Sequence, residues 1–182
     1  KFFINIKSSE KPILTDISLG AVFNGQELLD LVDKTATFLE EHNVKPKDTF
    51  LCLADNNIET VILVLASMRH GFCVSIVPSN FDEQDLTFWK DNLSASAIID
   101  TRDENAFAGM KDSLINFRRV FLSDFEQKSP QDVEDHLPFI ITFTSGTTGL
   151  PKGALISHRA LITRALIFTA ETSAPKNDTF IA

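Results

Sequence analysis

The sequence predicts an α/β fold in which a mainly parallel sheet is flanked by helices, and three observations carry that prediction. Between residues 20 and 122, segments with apolar side chains spaced three and four apart alternate with short apolar runs. Those runs are apolar at nearly every position rather than every second one, as strands covered on both faces must be. Asn, Asp and Gly stand where the helices would start and stop.

Taken in order, residues 26–41 place Leu28, Leu29, Val32, Ala36 and Leu39 on one stripe, which predicts an amphipathic helix closed by a turn at 44–48. Residues 49–54 read as a buried strand. Asn57 is the expected N-cap of a helix over 58–70, and Gly71 its C-terminal stop. Residues 72–77 are a second strand, Asp82 caps a helix running to about residue 93, and residues 97–99 are a third strand. A weaker helix is expected over about 104–116, then a strand at 120–122. A polar connection follows at 123–136, whose Asp124, Glu126, Asp132, Glu134 and Asp135 read as a solvated loop.

Length and charge bound the function. The chain has 182 residues, which suffices for one domain with its own core. Its net charge of -8 argues against a nucleic-acid or anionic-membrane binder, because both need a basic footprint. The longest aliphatic run, 61–66, is far shorter than the ~20 residues of a membrane span. Cys52 and Cys73 sit in apolar runs and read as buried, reduced thiols, which suits a reducing compartment. His42, His70 and His136 show no metal-ligand spacing, and His158 reads as an exposed first-turn residue. The first residue is Lys rather than Met and residues 178–182 look like the middle of an element, so one or both ends are expected to be cut.

Beyond the acidic loop the composition changes. Residues 136–170 contain no Asp or Glu, while Lys152, Arg159 and Arg164 supply positive charge. A strand expected at 139–143 runs into six residues that are only Thr, Ser or Gly: Thr144, Ser145, Gly146, Thr147, Thr148 and Gly149, with Leu150, Pro151, Lys152 and Gly153 completing the segment. Small side chains let backbone N–H groups approach phosphate oxygens, hydroxyls add donors and possible metal ligands, and one lysine adds compact charge. A Ser/Thr/Gly linker is the competing reading, but a linker has no reason to follow a buried strand and lead into another apolar run. The segment is not a Walker A loop, since Gly153 rather than Ser or Thr follows Lys152, and it is not a G-x-G-x-x-G fingerprint. Residues 154–156 read as a strand and Ser157 as the N-cap of a helix over about 158–169, so the phosphate segment would join two strands and act without a helix dipole.

The string FTSGTTGLPKGALISHRAL resembles the signature loop of the adenylate-forming (AMP-binding) superfamily, which includes acyl-CoA synthetases such as 4-coumarate-CoA ligase, firefly luciferases and peptide-synthetase adenylation domains. FNGQELLDLVDKTATFLEEHNVKPKDTF, MRHGFCVSIVPSN and FDEQDLTFWKDNLSASAIID resemble the segments that precede it, so the likeness covers nearly the whole chain. Phe81, Phe143 and Ala160 depart from the usual Pro, Tyr and Asn.

The resemblance implies ATP and Mg2+ as cofactors and a small-molecule carboxylate as substrate. The acid is joined to ATP with release of pyrophosphate, then passed to a thiol such as coenzyme A. It implies that Thr144, Ser145, Gly146, Thr147, Thr148, Gly149 and Lys152 hold the ATP phosphates, with Thr148 a candidate magnesium ligand. Thr148-Gly149-Leu150-Pro151-Lys152 looks closer to the acyl-CoA ligase branch, whose members include enzymes of fatty-acid metabolism, than to the peptide-synthetase form. An amino-acid adenylation domain and a non-catalytic module keeping this fold remain alternatives. The chain would be part of the large N-terminal domain: helix-strand alternation at 20–122, the acidic loop at 123–136, and a phosphate-binding strand-loop-strand-helix unit at 139–170. The acyl pocket, adenine site, hinge, coenzyme A contacts and C-terminal domain would lie outside it. The setting implied is intracellular, cytoplasmic or peroxisomal, and the fragment alone is expected to be inactive.

Overall fold

The computed structural model of the chain describes residues 2–7, 11–17, 20–77, 81–102, 107–144 and 152–172. Its elements in chain order are α1 (Phe2–Lys7), β1 (Leu14–Asp16), β2 (Ala21–Phe23), α2 (Gly25–Glu41), β3 (Thr49–Leu53), α3 (Ile58–His70), β4 (Cys73–Val77), α4 (Glu83–Asn92) and β5 (Ile98–Asp100). A 3-10 segment (Ala108–Ser113), β6 (Leu114–Asn116), α5 (Arg119–Leu122), β7 (Pro138–Thr144), β8 (Lys152–Ser157) and α6 (His158–Thr172) follow. β1 and β2 form a small antiparallel pair; the other six strands form one sheet in the order β6-β5-β3-β4-β7-β8. All its pairings are parallel except β7 with β8.

Alternate residues of β3 show why its run is apolar throughout. Phe50 and Cys52 enter a cluster with Leu28, Val32 and Phe38 of α2 and Ile62, Leu63 and Ala66 of α3. Leu51 and Leu53 enter a second cluster on the other face, with Leu86 and Trp89 of α4. Both faces of the sheet are thus covered, as in other parallel α/β sheets. Phe38 stacks edge-on to Phe117 at 5.5 Å and to Phe125 at 5.7 Å, which carries the core of the first face out to the start of the acidic loop.

The helix boundaries follow local chemistry. The Asn24 side chain accepts from the backbone of Gln26 and Glu27 while Glu27 accepts from the Asn24 N–H, a capping box. Asn57 caps α3 through the Thr60 N–H, and Asp82 caps α4 through Gln84 and Asp85. Gly71 ends α3 in the left-handed region at φ 78°, donating to the Ser67 carbonyl. A Cβ at Gly71 would also meet Val133 at 3.3 Å. Gly71→Ala should therefore cost about 1–2 kcal/mol of stability, read as a lowered urea midpoint with an unchanged m-value.

Two expectations are corrected. The helix expected over 104–116 is, within its described part, a 3-10 segment followed by strand β6, and the strand expected at 120–122 is the helical turn α5. Residues 114–116 take the strand role because their backbone pairs with β5, and Val120 folds back one turn to bury against the core. Residues 103–106 of that expected helix lie outside the described residues. α1 and the β1–β2 hairpin are additional elements. The cysteines are free and buried as expected. Burial, with the nearby Asp100 charge, pushes the Cys52 thiol up to about 12, which removes it as a nucleophile at neutral pH.

The acidic connection is solvated yet anchored. All five of its carboxylate side chains are exposed. Thr37 Oγ1 donates to the Glu126 carbonyl at 2.6 Å, Lys128 pairs with Glu40, and Phe125 packs on the core. The loop therefore runs over α2 rather than away from the body of the fold.

Candidate functional site

In open parallel α/β sheets, ligands usually sit at the carboxyl ends of strands whose connections leave in opposite directions. Here β3 and β5 are such neighbours, but side chains of the chain itself fill the crevice between them. Asn57 Nδ2 donates to the Thr101 carbonyl at 2.6 Å, the Thr60 and Thr101 hydroxyls lie 2.9 Å apart, and Thr101 Oγ1 donates to the Leu53 carbonyl at 3.1 Å. Arg102 is engaged by Asp100 in a two-point contact at 3.0 and 3.1 Å. The default position is occupied by structural hydrogen bonds.

The carboxyl end of β7 offers a different geometry. β7 runs parallel to β4, with Val74 opposite Ile140 and Ser75 opposite Ile141, so its end opens on the same edge of the sheet. It then turns into β8, with Phe143 opposite Gly153 and Thr144 opposite Lys152. Thr144 Oγ1 donates to the Lys152 carbonyl at 3.3 Å, and both residues are exposed. Of the expected phosphate-binding residues, these two are brought together at the mouth of the hairpin. Ser145, Gly146, Thr147, Thr148 and Gly149 lie outside the described residues. Among the described residues, no carboxylate pairs with Lys152, so its ammonium is available for an anionic ligand.

Gly153 has a steric reason for its place. A Cβ there would approach Ile141 Cγ2 to 3.3 Å and Phe143 Cε1 to 3.8 Å on the paired strand. β7 ends at Thr144 and β8 begins at Lys152, and α6 begins at the far end of β8, where Ser157 Oγ accepts from the Ala160 N–H at 3.2 Å. Among the described residues, the Thr144 hydroxyl and the Lys152 ammonium are the donors at the hairpin mouth, and α6 starts at the opposite end of β8.

His158 is a correction. It is buried, with Nε2 2.8 Å from the Met68 carbonyl, Nδ1 3.2 Å from the Leu137 carbonyl, and its ring on Phe139 at 4.9 Å. It ties the start of α6 to the end of α3 and the start of β7, a structural role that first-turn position alone does not reveal. Sequence reading also misses the aromatic contact under the hairpin mouth: Phe143 lies 5.3 Å from Phe81 and 4.8 Å from Trp89. Two positions that depart from the usual residues, Phe81 and Phe143, thus pack on each other. Among the described residues no helix is long and apolar enough to cross a membrane.

The doubly covered, mainly parallel sheet closed by an antiparallel hairpin is the architecture of the N-terminal domain of adenylate-forming enzymes. The model of the family "AMP-binding enzyme" matches residues 6–182, and the chain belongs to that family. It is 25% identical over its whole length to the anguibactin system regulator of Vibrio anguillarum, of which it spans 17%. It is 24% identical over 91% of its length to tyrocidine synthase 3 of Brevibacillus parabrevis, of which it spans 3%. The chain therefore covers less than a fifth of these relatives. In fold it is similar to O-succinylbenzoate coenzyme A synthetase from Bacillus subtilis in complex with AMP, with a TM-score of 0.84 at 18% identity, covering 98% of this chain and 47% of that one.

Proposed function

We propose that this chain is the phosphate-handling portion of an adenylate-forming enzyme and that the segment from Thr144 to Lys152 binds the β and γ phosphates of ATP. The observation that carries the reading is the hairpin mouth. Thr144 and Lys152 stand side by side at the carboxyl edge of the sheet, inside the stretch from 136 to 170 that holds no carboxylate. The donor set suits ATP: the Lys152 ammonium, which has no carboxylate partner among the described residues, can neutralise charge, the Thr144 hydroxyl can donate on turning from the Lys152 carbonyl, and the small residues of the Thr/Ser/Gly run would let backbone amides approach. Thr148 is the candidate hydroxyl ligand for Mg2+.

In the reaction so supported, a carboxylate oxygen attacks the α-phosphorus of ATP, the bond to the β-phosphate oxygen breaks, and pyrophosphate leaves to give an acyl-adenylate. A thiol then attacks the acyl carbon and AMP departs. The residues of this chain act on the leaving group in the first step, by positioning it and neutralising its charge. For the second step two acceptors have support. Thr148-Gly149-Leu150-Pro151-Lys152 favours coenzyme A and hence an acyl-CoA ligase. The likeness to tyrocidine synthase 3 favours an amino-acid adenylation domain, with a carrier-domain thiol as acceptor.

The share of its relatives that the chain spans supports the reading that it works within a longer polypeptide. So does α6, whose Leu161, Ile162, Leu166 and Ile167 are exposed. The 182-residue chain alone should show no ATP–pyrophosphate exchange and only millimolar-range nucleotide binding, since one segment supplies a fraction of the contacts. Trapping of acyl-adenylates with hydroxylamine by the full-length polypeptide, over fatty, aryl and amino acids, separates the two branches. Clear exchange by the isolated chain would overturn this division of labour.

A further inference from the structure

We propose that Trp89, Phe81 and Phe143 form an aromatic clamp that sets where β7 delivers Thr144, making Trp89 a positioning residue for the ATP phosphates. The inference rests on the reading of residues 144–152 as the phosphate segment. Phe143 is the penultimate residue of β7, so its side chain is the last on that strand before the segment begins. Its ring meets Trp89 of α4 near edge-on at 4.8 Å and Phe81 at 5.3 Å. Trp89 is held in turn by Phe88 at 5.3 Å with planes 86° apart. On the partner strand Gly153 places no side chain over Phe143; a Cβ there would lie 3.8 Å from Phe143 Cε1 and 3.3 Å from Ile141 Cγ2.

The consequence is mechanical. Phe143 and Gly153 are the register pair next to Thr144 and Lys152. Fixing the Phe143 ring against α4 therefore fixes the backbone from which the Thr144 hydroxyl and the paired Lys152 project. Misplacement by about 1 Å of a group that positions a substrate can cost two orders of magnitude in rate. A clamp built from three rings, two of them from residues 54 and 62 positions earlier in the chain, resists that displacement more than the edge strand β8 alone could.

The test is titration calorimetry of the full-length polypeptide with Mg·ATP and, separately, with AMP, which lacks the β and γ phosphates. Trp89→Ala should weaken Mg·ATP binding at least about tenfold while AMP affinity changes less than about twofold, and Trp89→Phe should restore most of the loss. Phe143→Leu, which keeps apolar burial but removes the ring contacts, should reproduce the selective loss and serves if Trp89→Ala does not fold. Equal weakening of Mg·ATP and AMP overturns the clamp, because it signals general destabilisation. Lys152→Ala distinguishes the two levels of inference. If it weakens Mg·ATP and neither aromatic variant does, the clamp alone is wrong. If Lys152→Ala has no effect, the phosphate reading fails and the clamp with it.

Discussion

Replacing Lys152 with Ala in the full-length enzyme should reduce ATP use at least tenfold, worth about 1.4 kcal/mol of lost interaction, and Thr147→Ala should do the same. The expectation for Lys152 follows from its surroundings. The ammonium is exposed at the hairpin mouth, and among the described residues nothing negative competes for it. An ion already paired on the protein surface would lose part of its value to a ligand, whereas this one meets phosphate with its charge uncommitted. Thr147 belongs to the same run on chemical grounds, as a small donor flanked by Gly146 and Thr148. Kinetics in ATP concentration check both. If neither variant reaches a tenfold loss, the assignment of the phosphates to this segment is wrong.

The largest stability effect should come from a site remote from the hairpin. Asp33 of α2 accepts from Arg69 Nε at 2.6 Å, Arg69 Nη2 at 3.1 Å and His70 Nε2 at 2.8 Å, joining α2 to the end of α3. Arg69 also lies over the Phe3 ring at 5.1 Å, which brings in α1. The side chains of Arg69, Asp33 and His70 are only 12, 13 and 1% exposed, so Asp33→Ala would strand a guanidinium with little water to solvate it. A loss of about 3 kcal/mol is expected, by the rule that breaking a buried pair costs far more than an exposed one is worth. Glu40→Ala, which breaks the more exposed pair with Lys128, should cost about 1 kcal/mol or less. Equal urea midpoints for the two variants would contradict the distinction.

The same carboxylate carries a pH signature. Burial pushes the Asp33 carboxyl up, but hydrogen bonds from His70 and Arg69 and the Arg69 charge outweigh it and hold the carboxyl below its ordinary 3.8. A lowered folded value means stability that is complete above the unfolded value and lost as pH falls through the folded one. The gap in stability between the native chain and Asp33→Asn should therefore shrink as pH falls below about pH 4.

How much of this was legible in the residues depends on the reach of each signal. α3 is readable to the residue because both of its ends are local chemistry: Asn57 accepts an N–H three positions on, and Gly71 takes the left-handed turn. β3 and β4 are readable because burial on both faces leaves no polar alternation, and β7 because residues 139–143 are an almost wholly apolar run although only Phe139 and Ile141 are buried. Residues 114–122 are not, since two short apolar runs carry no period, and pairing with β5 rather than local preference decides which becomes strand. His158 is misread because Met68, ninety positions earlier, buries it. The phosphate segment stands out by composition alone, but its aromatic support does not, because Trp89 and Phe143 meet only through the packing of α4 on the sheet.

The most direct test is product analysis of ATP turnover by the full-length polypeptide, with fatty, aryl and amino acids supplied in turn. Adenylate formation predicts AMP and pyrophosphate in equal amounts, dependent on one class of carboxylic acid and abolished or strongly reduced by Lys152→Ala. Formation of ADP and phosphate, or turnover indifferent to both the acid and Lys152, would contradict it.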